Sequence, residues 1–307
     1  MNKLVWGVVS VVSCIFISEG YCDDAAGVII IPSLGYEHKQ LNFDQSYTDS
    51  LSKPINEDGR KSRFGVYLPT INFSLTAAYK RFYVAVKLER SLAENSVDVD
   101  EIRPASRSAV SDPYYLNVPN HQTDVKRSDR SITAGANVWR GLNLFAGLMQ
   151  GETMLIPKAT CYTDPVPCTG RNLASDMEEY GAGEYHQKYT EKGPYLGGSY
   201  GWQIADEGTI SASFAYARMN GAFMDNYITY KYGDQHFDFT GKSIGSSIGL
   251  TWTAPLGESS AYYIDLRQQR YSMHGDDSNT PSTYFDTVQV KTVETMRSLT
   301  MGLQFDF

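Results

Sequence analysis

Residues 298–307, SLTMGLQFDF, decide the fold class of this chain. From Leu299 onward, every second position is apolar, and the positions between hold Thr, Gly, Gln and Asp. Successive side chains of a β-strand point to opposite faces of a sheet, so this alternation predicts a strand with one apolar face. The same two-residue period recurs upstream, for example in residues 71–77 and 243–253.

About ten such segments are predicted, and their connections alternate between short and long. The segments are 27–37, 65–78, 82–92, 129–139, 142–153, 192–204, 208–218, 240–254, 260–272 and 294–307. Short links are expected at 79–81, 140–141, 205–207 and 255–259, and long polar links at 38–64, 93–128, 154–191, 219–239 and 273–293. An even number of strands with short turns at one end and long loops at the other is typical of bacterial outer-membrane barrels. Eight or twelve strands are the alternative counts.

The polar face of these segments distinguishes a membrane barrel from a soluble β-sandwich or lipocalin-like barrel. In a soluble protein the outer face carries charge, whereas here the polar face is mostly Gly, Ser and Thr. Aromatic residues near predicted strand ends also favour a lipid–water interface. They are Tyr36, Tyr79, Tyr200, Trp202, Tyr216, Trp252 and Tyr262. We therefore expect an all-β, antiparallel transmembrane β-barrel with periplasmic turns and extracellular loops, surrounded by outer-membrane lipid of a Gram-negative bacterium.

The N-terminus has the pattern of a secretory signal. Lys3 precedes an apolar run at 4–17, and a polar break with small residues follows at 18–20. Cleavage is expected after Gly20 or after Cys22, so the predicted division is a signal peptide at 1–22 and a barrel at 23–307. An uncleaved anchor helix is the alternative, but the run is shorter than the roughly 20 residues needed to span a bilayer.

Charge and motif content exclude several classes of function. The chain carries 27 Lys and Arg against 35 Asp and Glu, a formal charge of −8, which does not supply the basic surface that nucleic acid requires. Phosphate-binding Gly loops, His-Glu-x-x-His and Gly-x-Ser-x-Gly are missing from the sequence. We expect no nucleic-acid partner, no cofactor and no metal site.

Several predicted strands resemble a widespread group of uncharacterised proteobacterial outer-membrane barrels. The similar segments are 129–136, 142–147, 193–200, 294–296 and 302–307. They correspond to strands and turns, so the resemblance implies the barrel fold and assigns no activity. The terminal Phe307 resembles the aromatic residue that such barrels present to the β-barrel assembly machinery, which is therefore an expected partner.

The inward face of the predicted barrel is small and polar, with a few charges. Lys87, Glu89, Asp265 and Arg267 occupy positions expected to point into the lumen. One interpretation is a narrow, water-filled passive channel with a charged ring. The other is a polar plug in which these charges pair with one another, since buried charges need partners.

Two short acidic motifs in the predicted long links suggest an enzyme. Asp98-Val99-Asp100 lies in the second link and Asp234-Gln235-His236 in the fourth, an arrangement that resembles the omptin outer-membrane proteases. The resemblance implies that Asp234 and His236 activate a water as general base, while Asp98 and Asp100 bind that water across a cleft. The alternative is that all four are solvated polar residues, and we prefer this interpretation to an enzyme.

The third long link contains Cys161 and Cys168, which predict a small disulfide ring in an exported protein. A metal site is the alternative, but it needs two further ligands. A loop stiffened in this way favours adhesion or binding. The sequence leaves three classes open: a porin-like channel or surface structural protein first, then an omptin-like protease, then a loop-mediated binding protein.

Overall fold

The computed structural model describes residues 27–49, 61–102, 121–157, 187–204, 207–229, 233–257, 259–277 and 288–307. These residues form eleven β-segments. They are β1 (Ile29–Asp49), β2 (Lys61–Tyr79), β3 (Phe82–Ser91), β4 (Asn95–Ile102), β5 (His121–Trp139), β6 (Leu142–Pro157), β7 (Gln187–Ile204), β8 (Gly208–Thr229), β9 (Gly233–Pro255), β10 (Ser260–Asp277) and β11 (Val288–Phe305). No helix in these ranges is long and apolar enough to cross a membrane.

The segments form a closed antiparallel barrel of ten strands. β3 and β4 both lie between β2 and β5, so together they make one barrel strand, interrupted at residues 92–94. β1 pairs with β2 on one side and with β11 on the other, which closes the sheet. Closure leaves no unpaired sheet edge, as a barrel in hydrocarbon requires. The predicted fold class and strand count are confirmed.

The strands are longer than the sequence pattern predicted. β8 and β9 have 22 and 23 residues, and their pairing continues to Thr229 opposite Gly233. The predicted long link at 219–239 was therefore wrong for most of its length, because it is strand. The short turn at 140–141 is as predicted, and Gly141 adopts the positive φ of 81° that such turns favour.

The reason for the extra length is a reversal of polarity along each strand. On the turn-side half of β2, Ile71 and Phe73 face outward while Asn72 faces the interior; on the loop-side half, Phe64 and Val66 face the interior. The period of two continues, but the apolar face changes sides. When only outward apolar residues are counted, each predicted strand ends at this reversal. The rest of the strand is then predicted, wrongly, as loop.

The outward apolar side chains form a continuous belt around the turn-side half of the barrel. On each barrel strand the belt ends, toward the loop side, at one exposed residue. These belt-edge residues are Tyr36, Ile71, Leu88, Ile132, Leu148, Leu196, Tyr216, Ile244, Leu266 and Leu299. Exposed apolar surface of this extent marks contact with lipid or with a partner protein.

Candidate functional site

The interior of the barrel is filled with side chains. It contains three layers, which run from the turn side to the loop side. The first is polar with tyrosines, the second is charged, and the third is apolar.

In the polar and charged layers, aromatic rings occupy the space left by small residues. A Cβ on Gly135 would lie 2.5 Å from the ring of Tyr83, and a Cβ on Gly245 would lie 2.5 Å from the ring of Tyr271. A Cβ on Gly302 would likewise lie 2.5 Å from the ring of Tyr263. The small inward residues that suggested an open passage are therefore the surfaces on which rings from neighbouring strands pack.

The lower part of the charged layer contains the four inward charges predicted from sequence. Lys87 Nζ lies 2.9 Å from Glu89 Oε2, and Arg267 Nε lies 3.1 Å from Asp265 Oδ2. Lys39 also contacts Glu89 and lies 3.2 Å from Asp129 Oδ2. Each of these cations has a carboxylate partner, which is the arrangement that burial requires.

The upper part of the charged layer crosses the lumen and was not predicted. Arg127 Nη2 lies 2.6 Å from Asp129 Oδ1, and Arg127 Nη1 lies 2.5 Å from Glu294 Oε2 on the other side of the lumen. Thr153 Oγ1 donates to Glu294 Oε1 at 2.5 Å. Arg127 and Glu294 are both almost completely buried. Arg127 falls in the link predicted at 93–128, and Glu294 is the first residue of the strand predicted at 294–307, so the sequence pattern did not bring the two together.

Glu191 is the second fully buried carboxyl of this upper part. It accepts hydrogen bonds from Tyr189 Oη at 2.6 Å and from Ser243 Oγ at 3.3 Å. Arg127 Nη2 is 3.9 Å from Glu191 Oε2, a long contact. Glu191 and Glu294 are thus two fully buried carboxyls that share one nearby guanidinium.

Above the charges, the apolar layer closes the lumen. Phe43 packs against Phe64 with ring centroids 5.2 Å apart and against Tyr189 at 5.8 Å, and Phe223 lies 6.3 Å from Phe239. The other fully buried members of this layer include Leu41, Leu68, Met219, Met273 and Met296. Side chains at such exposures leave no room for a column of water through the described part of the barrel.

A small cavity lies inside the charged layer. Its volume is about 60 Å³, enough for a few water molecules. Lys87, Glu89 and Asp265 line one wall, and Ala217 and Gly245 line another. No group of three or more His, Cys, Asp or Glu within the described ranges could hold a metal ion.

The acidic motifs that resemble omptin residues lie on strands rather than in loops, which corrects the sequence assignment. Asp98 is on β4 and its side chain is exposed, whereas the next residue, Val99, is buried in the interior. The backbones of Asp234 and His236 pair with β8 through Ile228 and Asn226. The side chains of Asp100, Asp234 and His236 lie outside the described part of the structure. The catalytic role stays a prediction, and the orientation of Asp98 does not favour it.

The remaining predicted residues fall into two groups. Cys161, Cys168 and the signal peptide lie outside the described ranges, so the disulfide and the cleavage stay predictions. Phe307 is described: its side chain is exposed, and its backbone exchanges hydrogen bonds of 3.1 and 3.2 Å with Ile30 at the β1–β11 seam. The terminal residue thus lies where the barrel closes.

Similar solved structures include two bacterial outer membrane proteins and the translocator domain of an autotransporter. The outer membrane protease OmpT from Escherichia coli has a TM-score of 0.62 at 10% identity, over 91% of this chain and 96% of that one. The translocator domain of the autotransporter NalP from Neisseria meningitidis has a TM-score of 0.39 at 11% identity, over 94% and 91%. The outer membrane protein OprG from Pseudomonas aeruginosa has a TM-score of 0.37 at 9% identity, over 92% and 96%.

Neither a scan against protein-family models nor a search of curated proteins gives a match. At identities this low, the likeness to OmpT shows the fold alone. The chain therefore belongs, by its architecture, to the class of closed ten-stranded antiparallel barrels.

Proposed function

We propose that this chain is a surface structural protein of the Gram-negative outer membrane, with a sealed barrel that carries its activity on the loop side. Its apolar belt contacts lipid, and its interior conducts no solute. The single observation that carries the proposal is the fully buried apolar layer around Phe43, Phe223 and Phe239, which lies on top of the paired charges.

The charges below that layer support the same interpretation. An aqueous pore needs charged groups that water and ions can reach, but Arg127 and Glu294 contact one another and are almost inaccessible. Lys87 and Arg267 likewise contact carboxylates rather than lining an open passage. The narrow-channel interpretation is therefore less favoured than the plug.

The extended wall supports a role on the loop side. About ten residues of a tilted strand are enough to cross the bilayer, whereas β8 and β9 have 22 and 23. The excess raises the loop-side rim by roughly 25 Å beyond the belt. A filled interior makes this projecting wall rigid, which suits a scaffold that presents loops to the surroundings.

Planar-bilayer conductance of the refolded protein tests the proposal, with folding verified by circular dichroism. We expect no discrete, reproducible current steps. Two variants make the result specific: Ala217→Trp adds bulk next to the interior cavity, and Leu148→Trp adds the same bulk to the outer belt. Current steps in the wild type that Ala217→Trp abolishes and Leu148→Trp preserves would establish a channel and overturn the proposal.

A further inference from the structure

The outer wall of the barrel carries a ring of positive charge immediately beyond the apolar belt. On five barrel strands, the outward position two residues beyond the belt edge is a cation, and on two more strands the cation follows one outward position later. We call these residues the cationic girdle: Arg90, Arg130, Lys192, Arg218, Lys242, Arg270 and Arg297. All seven are exposed, and they come from β3, β5, β7, β8, β9, β10 and β11.

The positive charge of the girdle contrasts with the net negative charge of the whole chain. Although the protein carries a formal charge of −8, the first outward position beyond the belt edge is not acidic on any barrel strand. Those positions hold His38, Pro69, Arg90, Arg130, Gln150, Pro194, Arg218, Lys242, Gln268 and Arg297. A random surface of this composition would place acids there at least as often as bases.

The girdle cations have no acidic partner among the described residues. Arg130 donates to the amide oxygen of Gln150 at 2.7 Å, and Lys242 donates to that of Asn220 at 2.7 Å. Several cations farther from the belt differ, because they are paired with acids. Arg63 contacts Asp44, Lys126 contacts Glu94, and Lys188 lies 2.8 Å from Glu152. Unpaired positive charge is thus concentrated at the belt edge.

Three girdle residues converge on one site. Lys192, Arg218, Asn220 and Lys242 line a shallow outer pocket of about 300 Å³ together with Pro194. The strand register explains the convergence, since Asn220 pairs with Lys192 on one side and with Lys242 on the other. Two ammonium groups, a guanidinium and an amide on adjacent strands match the charge and hydrogen-bonding needs of a phosphate group.

The residues around this pocket indicate which class of phosphate compound it fits. Leu196, Tyr216 and Ile244, directly below it, are exposed members of the apolar belt. A ligand that fills both regions has an anionic phosphate head and hydrocarbon chains. We propose that Lys192, Arg218 and Lys242 form a binding site for an anionic phospholipid head group, with the acyl chains packed on the belt. Basic residues at the membrane surface attract anionic lipid in this way.

This inference rests on the proposed position of the barrel in a membrane, and the experiment separates the two. Insertion of the wild type into pure phosphatidylcholine vesicles, read by protection of the belt from protease, tests the membrane position alone. Lipid binding is then measured on the intact protein in neutral detergent by native mass spectrometry. Phosphatidylglycerol and phosphatidylcholine of equal chain length are the two probes.

We expect phosphatidylglycerol to bind at least tenfold more tightly than phosphatidylcholine, and increasing salt to weaken this preference. The triple variant Lys192→Gln, Arg218→Gln, Lys242→Gln should lose the preference. The matched control removes the same number of charges from paired sites, as Arg63→Gln, Lys126→Gln, Lys188→Gln, and should keep it. Should the triple variant fail to fold, Lys242→Gln alone is expected to reduce the preference severalfold.

Three results would overturn the inference. The first is equal affinity of the wild type for both lipids. The second is an unchanged preference in the folded triple variant. The third is displacement of phosphatidylglycerol by millimolar inorganic phosphate, which would assign the pocket to free phosphate rather than to lipid. Insertion into vesicles without any lipid preference would leave the membrane position intact and reject the girdle site.

Discussion

Arg127 and Glu294 contact each other across the lumen, with Nη1 2.5 Å from Oε2, although they lie on β5 and β11. Three barrel strands separate these segments around the shorter side of the wall. The contact therefore ties two distant parts of the sheet through the interior. Asp129 and Thr153 complete the arrangement, so that Arg127 and Glu294 each have a second hydrogen-bond partner.

Loss of Arg127 is expected to be strongly destabilising. Arg127→Met leaves Glu294 buried without its cation, and removing one partner of a buried ion pair typically costs about 3–5 kcal/mol. We expect the double variant Arg127→Met, Glu294→Met to be less destabilised than the sum of the two single variants. Urea unfolding in detergent micelles measures the free energies of unfolding.

An exposed pair provides the control for that series. Arg63 contacts Asp44 on the outer wall, and both side chains are largely solvated. Arg63→Met should therefore change the free energy of unfolding by no more than about 1 kcal/mol. Equal effects at Arg63 and Arg127 would contradict a special role for the interior pair.

The alternation of apolar and polar residues along the chain was enough to predict the barrel. The stretch around Leu299, Met301 and Leu303 is apolar on its lipid-facing side, and that pattern identified all ten strand positions in the belt. The same alternation also predicts which side chains point inward. Lys87, Glu89, Asp265 and Arg267 were therefore predicted as inward charges from their residue type and their position in the pattern alone. Local pattern suffices where one face of the strand meets a uniform environment.

The interior layers could not be predicted in the same way, because they depend on contacts between distant strands. Phe43 and Phe223 belong to the apolar layer, but the polarity reversal placed them in predicted loops. Gly245 looked like open space, since nothing in its own strand shows that the ring of Tyr271 fills it. The pairing of Arg127 with Glu294 spans 167 positions of sequence.

Gly245 should tolerate no side chain of ordinary size. A Cβ at this position would lie 2.5 Å from Tyr271 Cδ1, and Tyr271 is itself buried. We expect Gly245→Val to lower the free energy of unfolding by roughly 2 kcal/mol or more, as overpacking in a filled core usually does. Gly257→Val is the comparison, because only Ser260 Oγ lies nearby, at 3.4 Å. Comparable losses at both glycines would mean that the ring does not fill the interior.

The catalytic alternative makes a separate prediction at His236. The omptin-like arrangement needs Asp98 to reach a water across the cleft, but the exposed side chain of Asp98 alternates with Val99, which faces the interior. We therefore expect the refolded wild type to leave a library of fluorogenic peptides intact, with and without added anionic lipid. Cleavage that disappears in His236→Ala and in Asp234→Asn, but persists in Asp98→Asn, would establish catalysis without Asp98. Cleavage lost in all three variants would instead support the full omptin-like arrangement and displace the structural role proposed here.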